Sequence, residues 1–520
     1  MAVRAPKDLI DELVHQFTDP FAFYRELIQN SIDAGSNRIE VALAYHPAAK
    51  QPMCTATVSD WGEGMSRKVI EDFFLTKFRS SKEDDATKIG KYGIGFVSVF
   101  ACKPDAVTVD TGKDGEFWRV LFKADRTHEL IRLDAPVDGT RITLHKAMGP
   151  LAYDEFAQKS EAAVRKWCRH SEVDVALSVG KSDGAAPPAP VSVREPLQVD
   201  APLQVEHQEE GLHVVVGVPR QQATLGLYNR GLTLLESHEE IVAGVSVKAI
   251  ARALEHTLTR DNVRRDKNFA RVVKVAQKLA DGPLKEKLSE AMRRAAADPN
   301  GRADWLALYL YAQQRLPPSQ MWLRRPEGGA LEGRAVAKLI EDQTLWVAEK
   351  RTALVDRLDA AGIPVLEALP SEPWVHVVRN HFEGKDVGVA EEAWTHAEPV
   401  AVDTAPAFSA ALAEALDLLE ARAKAVAVTR LHGACATEAF ALVHSLGKPV
   451  LKFSALQSPF ARGAAPTLVL NTAHKDFDRF APLLQTAPRL AAMLICRRVA
   501  VLYGALTTDA DKALTGWALG

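Results

Sequence analysis

The sequence predicts an α+β fold: a layered α/β sandwich, then a middle α/β region, then a mostly helical C-terminal region. Three observations predict it. In the first 145 residues helical and strand-like periodicities are mixed without the strict strand–helix alternation of a doubly wound parallel sheet. A Gly/Pro/Ala-rich break, Lys181 to Pro190, separates this part from a second run of strands and helices. From Ala405 onward the chain turns Ala/Leu-rich and closes on a strong helix from about Arg489 to Tyr503.

Taken in order, residues 7–17 read as a helix with Leu9, Ile10, Leu13 and Val14 on one side. Asp19-Pro20 starts the next helix, in which Phe23, Leu27, Ile28 and Ile32 form an apolar stripe. Glu26, Asn30 and Asp33 fall on one face at spacings of four and three, and Gly35 can end the helix in a left-handed conformation. Alone, this is equally an amphipathic surface helix with a solvated polar face. Residues 38–44 alternate as a strand, and Thr55–Val58 is a second strand that carries Asp60 at its C-terminal end. The turn Asp60-Trp61-Gly62-Glu63-Gly64-Met65 follows. Residues 66–89 form a polar connection around one short helix, a candidate movable lid. Gly90-Lys91-Tyr92-Gly93-Ile94-Gly95-Phe96 is a glycine-rich loop opening a helix over 96–102. Strands are expected near 106–111, 117–123, 128–133 and 140–145, the last behind Asp138-Gly139-Thr140. Beyond the break come strands 212–218 and 225–228, a helical stretch 267–297, and strands 345–348 and 363–366 flanking a helix at 351–361.

Composition sets limits on function. The 520 residues are 47% apolar and 25% charged, a globular balance with room for about three or four domains. A net charge of −3 argues against a chain built mainly to hold nucleic acid. Five scattered cysteines (Cys54, Cys102, Cys168, Cys435, Cys496) have no metal-ligand spacing and fit reduced thiols. The first residues lack a signal-peptide core, and the apolar run Leu490–Leu506 is broken by Arg497 and Arg498, so a cytoplasmic chain with no membrane partner is expected. Walker-type GxxxxGK, HExxH and GxSxG motifs are missing from the sequence.

The four blocks around Glu26–Gly35, Asp60–Met65, Gly90–Phe96 and Asp138–Thr140 resemble, in order and spacing, the GHKL ATPases: gyrase, heat-shock protein 90, histidine kinases and mismatch-repair MutL. Further segments resemble the heat-shock protein 90 family in particular. They are Ile89–Phe100, Arg169-His170-Ser171-Glu172, Leu227–Gly231, Leu258-Thr259-Arg260-Asp261-Asn262 with Lys267, and Leu468–His474 before a long helix. The stretch between Met65 and Gly90 is shorter than that family's lid, Asp33-Ala34-Gly35-Ser36 is closer to MutL or MORC ATPases, and no acidic interdomain linker is present. The resemblance is to a divergent bacterial-type member.

It implies a GHKL (Bergerat) ATP-binding domain over 1–185 with its lid near 66–89, a middle domain over 190–400, and a dimerisation region over 401–520, in which the helix near 489–503 would present Leu490, Ala491, Leu494 and Ile495 to the partner with Arg497 and Arg498 at the rim, or else be an intradomain core helix. The implied function is an ATP-driven, dimeric chaperone acting on client proteins, with ATP and Mg as cofactors. A nucleic-acid clamp and a nucleotide-gated scaffold are the alternatives. Glu26 would hold and polarise the attacking water, and Asn30 would offer Mg²⁺ a neutral oxygen. Asp60 would accept from the adenine amine, and otherwise is a turn aspartate. Gly62 and Gly64 would admit the base, with Met65 packed on it and the Thr140 hydroxyl supporting Asp60. Asp33, Lys91, Tyr92, Ile94 and Phe96 complete the expected ATP contacts, with Gly90, Gly93 and Gly95 turning backbone N–H groups to phosphate. Arg260 would neutralise charge on the γ-phosphate, or else only pair with Asp261 or Asp266.

Overall fold

The computed structural model describes residues 19–49, 51–75, 94–256, 262–326, 328–336, 340, 343–400, 406–423, 425–434, 436–444, 450–452, 458–462 and 467–520. The expected helix 7–17, most of the lid, Gly90 to Gly93 and Arg260 lie outside the described residues. The chain forms two compact units, Met1–Leu284 and Lys285–Gly520.

The first unit is built on an eight-stranded sheet: β1 (Arg38–His46), β2 (Met53–Asp60), β3 (Ala106–Lys113), β4 (Glu116–Lys123), β5 (His128–Arg132), β6 (Thr140–Ala147), β7 (Asp174–Val179) and β8 (Val191–Ser192), in the order β5-β4-β3-β6-β2-β1-β7-β8. All neighbours are antiparallel except β1 and β7. Helices α1 (Phe23–Asp33) and α2 (Pro150–Cys168) share its core. In β1, Ile39, Val41, Leu43 and Tyr45 alternate into that core, and in β2, Cys54, Ala56 and Val58 do the same. The next residue on the buried parity of β2 is Asp60, which is why a carboxylate is buried at the strand end.

α1 ends as its sequence predicts. Ala34 N–H donates to Asn30 O at 2.9 Å, Gly35 N–H donates to Ile32 O at 3.0 Å, and Gly35 takes φ 77°. α2, by contrast, is not among the expected elements. It starts on Gly149-Pro150 and buries Tyr153, Phe156, Ala157, Ser160, Val164 and Cys168, a period-3.6 pattern that was present in the sequence. The Lys181–Pro190 break is a loop between β7 and β8, and β8 still pairs with β7 beyond it.

A second sheet completes the first unit: β9 (Leu203–Glu209), β10 (Leu212–Val218), β11 (Leu225–Asn229), β12 (Leu232–Ser237) and β13 (Ser246–Ala251), in the order β12-β11-β13-β10-β9. Helix α3 (Lys267–Asp281) is capped by Asp266, whose carboxylate accepts from the N–H groups of Asn268 and Phe269 at 2.8 and 3.2 Å. The single helical stretch expected over 267–297 is two helices. Gly282 and Pro283 divide α3 from α4 (Pro283–Ala297), because proline brings no N–H and glycine favours the break.

The second unit holds a three-stranded parallel sheet in the order Leu366–Glu367, Thr344–Ala348, Asp386–Val389. Helix Ala353–Ala360 joins the first two of these, close to the small layer read from the sequence. A five-stranded sheet follows, in the order Ala441–His444, Thr467–Asn471, Ala425–Gly433, Trp394–Pro399, Leu451–Lys452. Helices Pro406–Leu418, Pro488–Leu502 and Thr508–Leu519 make the C-terminal layer predominantly helical. Here a sequence expectation is corrected. Ala491 and Ile495, assigned to a dimer face, are fully buried within the chain against Phe408, Ala411, Leu412 and Ala415. Arg497 and Arg498, expected at its rim, pair with Asp511 and Asp476, each at 3.0 Å.

Candidate nucleotide site

Strand register assembles the centre of the site. Asp60 on β2 stands opposite Thr140 on β6, and Thr140 stands opposite Thr111 on β3. Asp60 is 7% exposed. Its Oδ1 accepts from Gly62 N–H at 2.9 Å and Thr140 N–H at 3.2 Å, and its Oδ2 accepts from the Ser31 hydroxyl at 2.9 Å. An ionised carboxylate has about four lone-pair positions, so one is left on Oδ2 for a further donor. Burial raises the carboxyl pKa, and the three hydrogen bonds oppose that rise.

Thr140 supports Asp60 through its backbone N–H. Its hydroxyl, expected to do so, is instead shared with Thr111 Oγ1 at 3.0 Å, since the β6–β3 register aims it at that neighbour. Thr111, fully buried, also accepts from Met65 N–H at 2.9 Å and so ties the end of the Asp60–Met65 turn to β3. Met65 itself is half-buried against the core. The glycines of that turn are required by protein packing. A Cβ on Gly62 would lie 2.7 Å from Ala34 O, and one on Gly64 would lie 2.0 Å from Gly112 O.

α1 brings Ser31 to Asp60 and carries Glu26, Asn30 and Asp33 on the same helix. Glu26 is 8% exposed and pairs with Arg25 Nη2 at 2.8 Å, a buried pair. The Arg25 guanidinium also lies over the Trp167 ring at 4.9 Å. A Cβ on Gly95 would stand 2.7 Å from Glu26 Oε2, so the described end of the glycine loop rests on this carboxylate. Ile94 opens the short helix Ile94–Val97. Phe96 is 2% exposed and packs edge-on against Phe100 and at a tilt against Phe122, which directs its ring to the core and leaves only its backbone for a ligand. Asn30 and Asp33 are exposed, and Asp33 meets Gln29 Nε2 and Arg230 Nη1 at 3.3 and 3.1 Å. Lys91, Tyr92 and Arg260 fall outside the described residues, as do Gly90 and Gly93. Among the described residues no group of three or more His, Cys, Asp or Glu could hold a metal ion by itself.

Ser31, Thr111 and Arg230 escaped the sequence reading. Each acts on a residue 29 to 197 positions away, and no local pattern carries such a pairing.

Residues 22–135 match the family described as histidine kinase-, DNA gyrase B-, and HSP90-like ATPase. The chain is similar to the chaperone protein HtpG of Methylococcus capsulatus, 27% identical over 242 residues, which is 39% of this chain and 36% of that protein. It is also similar to HtpG of Chromobacterium violaceum, 26% identical over 210 residues (34% of this chain, 32% of that protein). With HtpG of Yersinia pestis it is 29% identical over 214 residues (34% of this chain, 33% of that protein). The matched part thus spans about a third of the length of these relatives. Residues 22–135 are therefore a domain of the histidine kinase-, DNA gyrase B- and HSP90-like ATPase family, and the chain that carries it resembles the HSP90-type chaperones.

Proposed function

We propose that this protein is an HSP90-type chaperone that binds and hydrolyses ATP to drive clamp-like cycling on client proteins. The observation that carries the reading is Asp60: a buried carboxylate, oriented by three donors, with one acceptor position left over. Such a group selects a donor such as the adenine amine. Gly62, Gly64 and Met65 would border the base, and Asn30, Asp33 and the loop Gly90–Phe96 would face the phosphates.

Glu26 holds the water that attacks the γ-phosphate and takes up its proton, with Arg25 steering the carboxylate. Asn30 suits Mg²⁺ as a single neutral oxygen, since that ion keeps phosphate and water ligands, and it would offset charge on the phosphates. Arg260 supplies the guanidinium that stabilises the spreading charge. The organisation that goes with this is a nucleotide domain over 1–185, a middle domain over 190–400 and a dimerising region over 401–520, in the cytoplasm. Among the described residues no helix is long and apolar enough to cross a membrane.

The deciding experiment is steady-state ATPase activity of the full chain, with and without an unfolded protein and with and without DNA, beside Glu26→Ala. Turnover stimulated by unfolded protein, absent in Glu26→Ala while ATP still binds, is expected. Stimulation by DNA alone would favour a nucleic-acid clamp, and binding without turnover a scaffold. Native turnover by Glu26→Ala would remove Glu26 from the mechanism.

A further inference from the structure

Asp33 is the last residue of α1, three positions after Asn30, so the two side chains share a helix face at about 5–6 Å between Cβ atoms. The Asp33 carboxylate is met at 3.1 Å by Arg230 Nη1. That arginine arrives from the second sheet, on the turn between β11 and β12.

The turn is firmly attached to the nucleotide domain. Arg230 takes φ 46°, and its carbonyl accepts from Glu172 N–H at 3.0 Å, just past the end of α2. Leu232, 1% exposed, belongs to the same core as α1 and α2. The Thr233 hydroxyl donates to Lys166 O at 2.7 Å, and Arg252 grips Glu172 through two bonds of 3.2 and 3.1 Å. Tyr228 OH donates to Glu236 Oε1 at 2.7 Å, and Glu236 also pairs with Arg169. The guanidinium therefore projects from a braced backbone and not from a loose loop.

We propose that Arg230 is a positioning residue for the nucleotide site: it neutralises Asp33 beside the polyphosphate and so sets the affinity for phosphate-bearing adenine nucleotides. The inference rests on the ATP reading of the Asn30–Asp60 site. An unpaired carboxylate one turn from Asn30 would repel phosphate, the more so the more phosphates the ligand carries. Both partners are about two-fifths exposed, so solvent screening keeps the effect small.

The test is calorimetry of ATP, ADP and adenosine on the full chain at low and high salt, for wild type, Arg230→Asn, Asp33→Asn and the double variant. Asparagine tolerates the left-handed backbone, so Arg230→Asn removes the charge alone. The expected result is that Arg230→Asn weakens ATP about two- to fivefold at low salt, ADP less, and adenosine not at all. The loss should fade at high salt and vanish in the Asp33→Asn background. Equal losses for all three ligands would mark a purely structural role and overturn the proposal. Full ATP affinity in Arg230→Asn, beside an Asp60→Asn variant that loses about tenfold or more, would overturn it while leaving the ATP reading standing. A full chain that binds no adenine nucleotide would overturn both.

Discussion

Asp60 keeps a charge where burial disfavours one. Its folded pKa is raised by desolvation, so its contribution to stability is present below the ordinary aspartate value and lost as pH rises through the folded value. At neutral pH the ionised carboxylate is a cost to the fold. Asp60→Asn removes that cost and can still be satisfied. The amide oxygen takes the Gly62 and Thr140 N–H groups, the NH₂ donates to Ser31 Oγ, and the Ser31 hydroxyl turns to Leu27 O, 3.1 Å away. We therefore expect an unchanged or raised Tm at pH 7, with the gain shrinking as pH falls through the raised folded value and gone below the ordinary aspartate value of about 4. ATP affinity should fall by roughly tenfold or more, because a donor now faces the donor of the base, a mismatch of about 1–3 kcal/mol. Thermal unfolding across pH and calorimetry check the two halves. A Tm lowered by many degrees would mean Asp60 serves the fold first.

At the scale of the element, the Asp60–Met65 turn is held by close backbone packing more than by its own sequence. Gly64 takes φ 63°, and a Cβ there would overlap Gly112 O at 2.0 Å. Gly35, at φ 77°, has nothing within 4 Å of the same position. Gly35→Ala should cost only the left-handed backbone, about 1–2 kcal/mol. Gly64→Ala adds displacement of β3 and should cost about 2–4 kcal/mol. It should also weaken nucleotide binding, since Met65 N–H is tied to Thr111 on the same strand. Denaturant unfolding of both variants gives the comparison. Equal losses would mean that the turn yields freely and that its contact with β3 contributes little.

For the whole molecule, the proposed dimer depends on which surface of the C-terminal layer is left open. The inner face of helix Pro488–Leu502 is filled by helix Pro406–Leu418 of the same chain. Leu490, Leu494 and Val501 recur at four and seven on another face, with Leu490 37% and Val501 53% exposed. Leu490→Glu with Val501→Glu should turn a full-length dimer into a monomer with little change in Tm, as read by light scattering and thermal unfolding. A dimer that survives both charges would place the interface elsewhere. Point changes are the better probe here. Truncation near residue 400 would separate strand Trp394–Pro399 from its partner Ala425–Gly433 and open the five-stranded sheet.

The sequence by itself determined the local devices. Periodicity located α1, its glycine stop, β1, β2 and the small parallel layer around Thr344–Ala348, because helix and strand spacing are imposed by neighbours a few residues apart. It also marked Glu26, Asn30 and Asp60 as chemically notable, since they stand in compact blocks. Tertiary structure alone decided how those residues are held. Ser31 and Thr140 N–H orient Asp60, Thr111 anchors the turn, and Arg230 reaches Asp33, through pairings 29, 80, 46 and 197 positions apart. It decided too that Ala491 and Ile495 face inward, although their spacing on the helix suits either a core or an interface. The physical reason is common to all of these. Hydrogen bonds and buried apolar faces are satisfied by whichever element the fold brings alongside, and strand register, not local spacing, makes that choice.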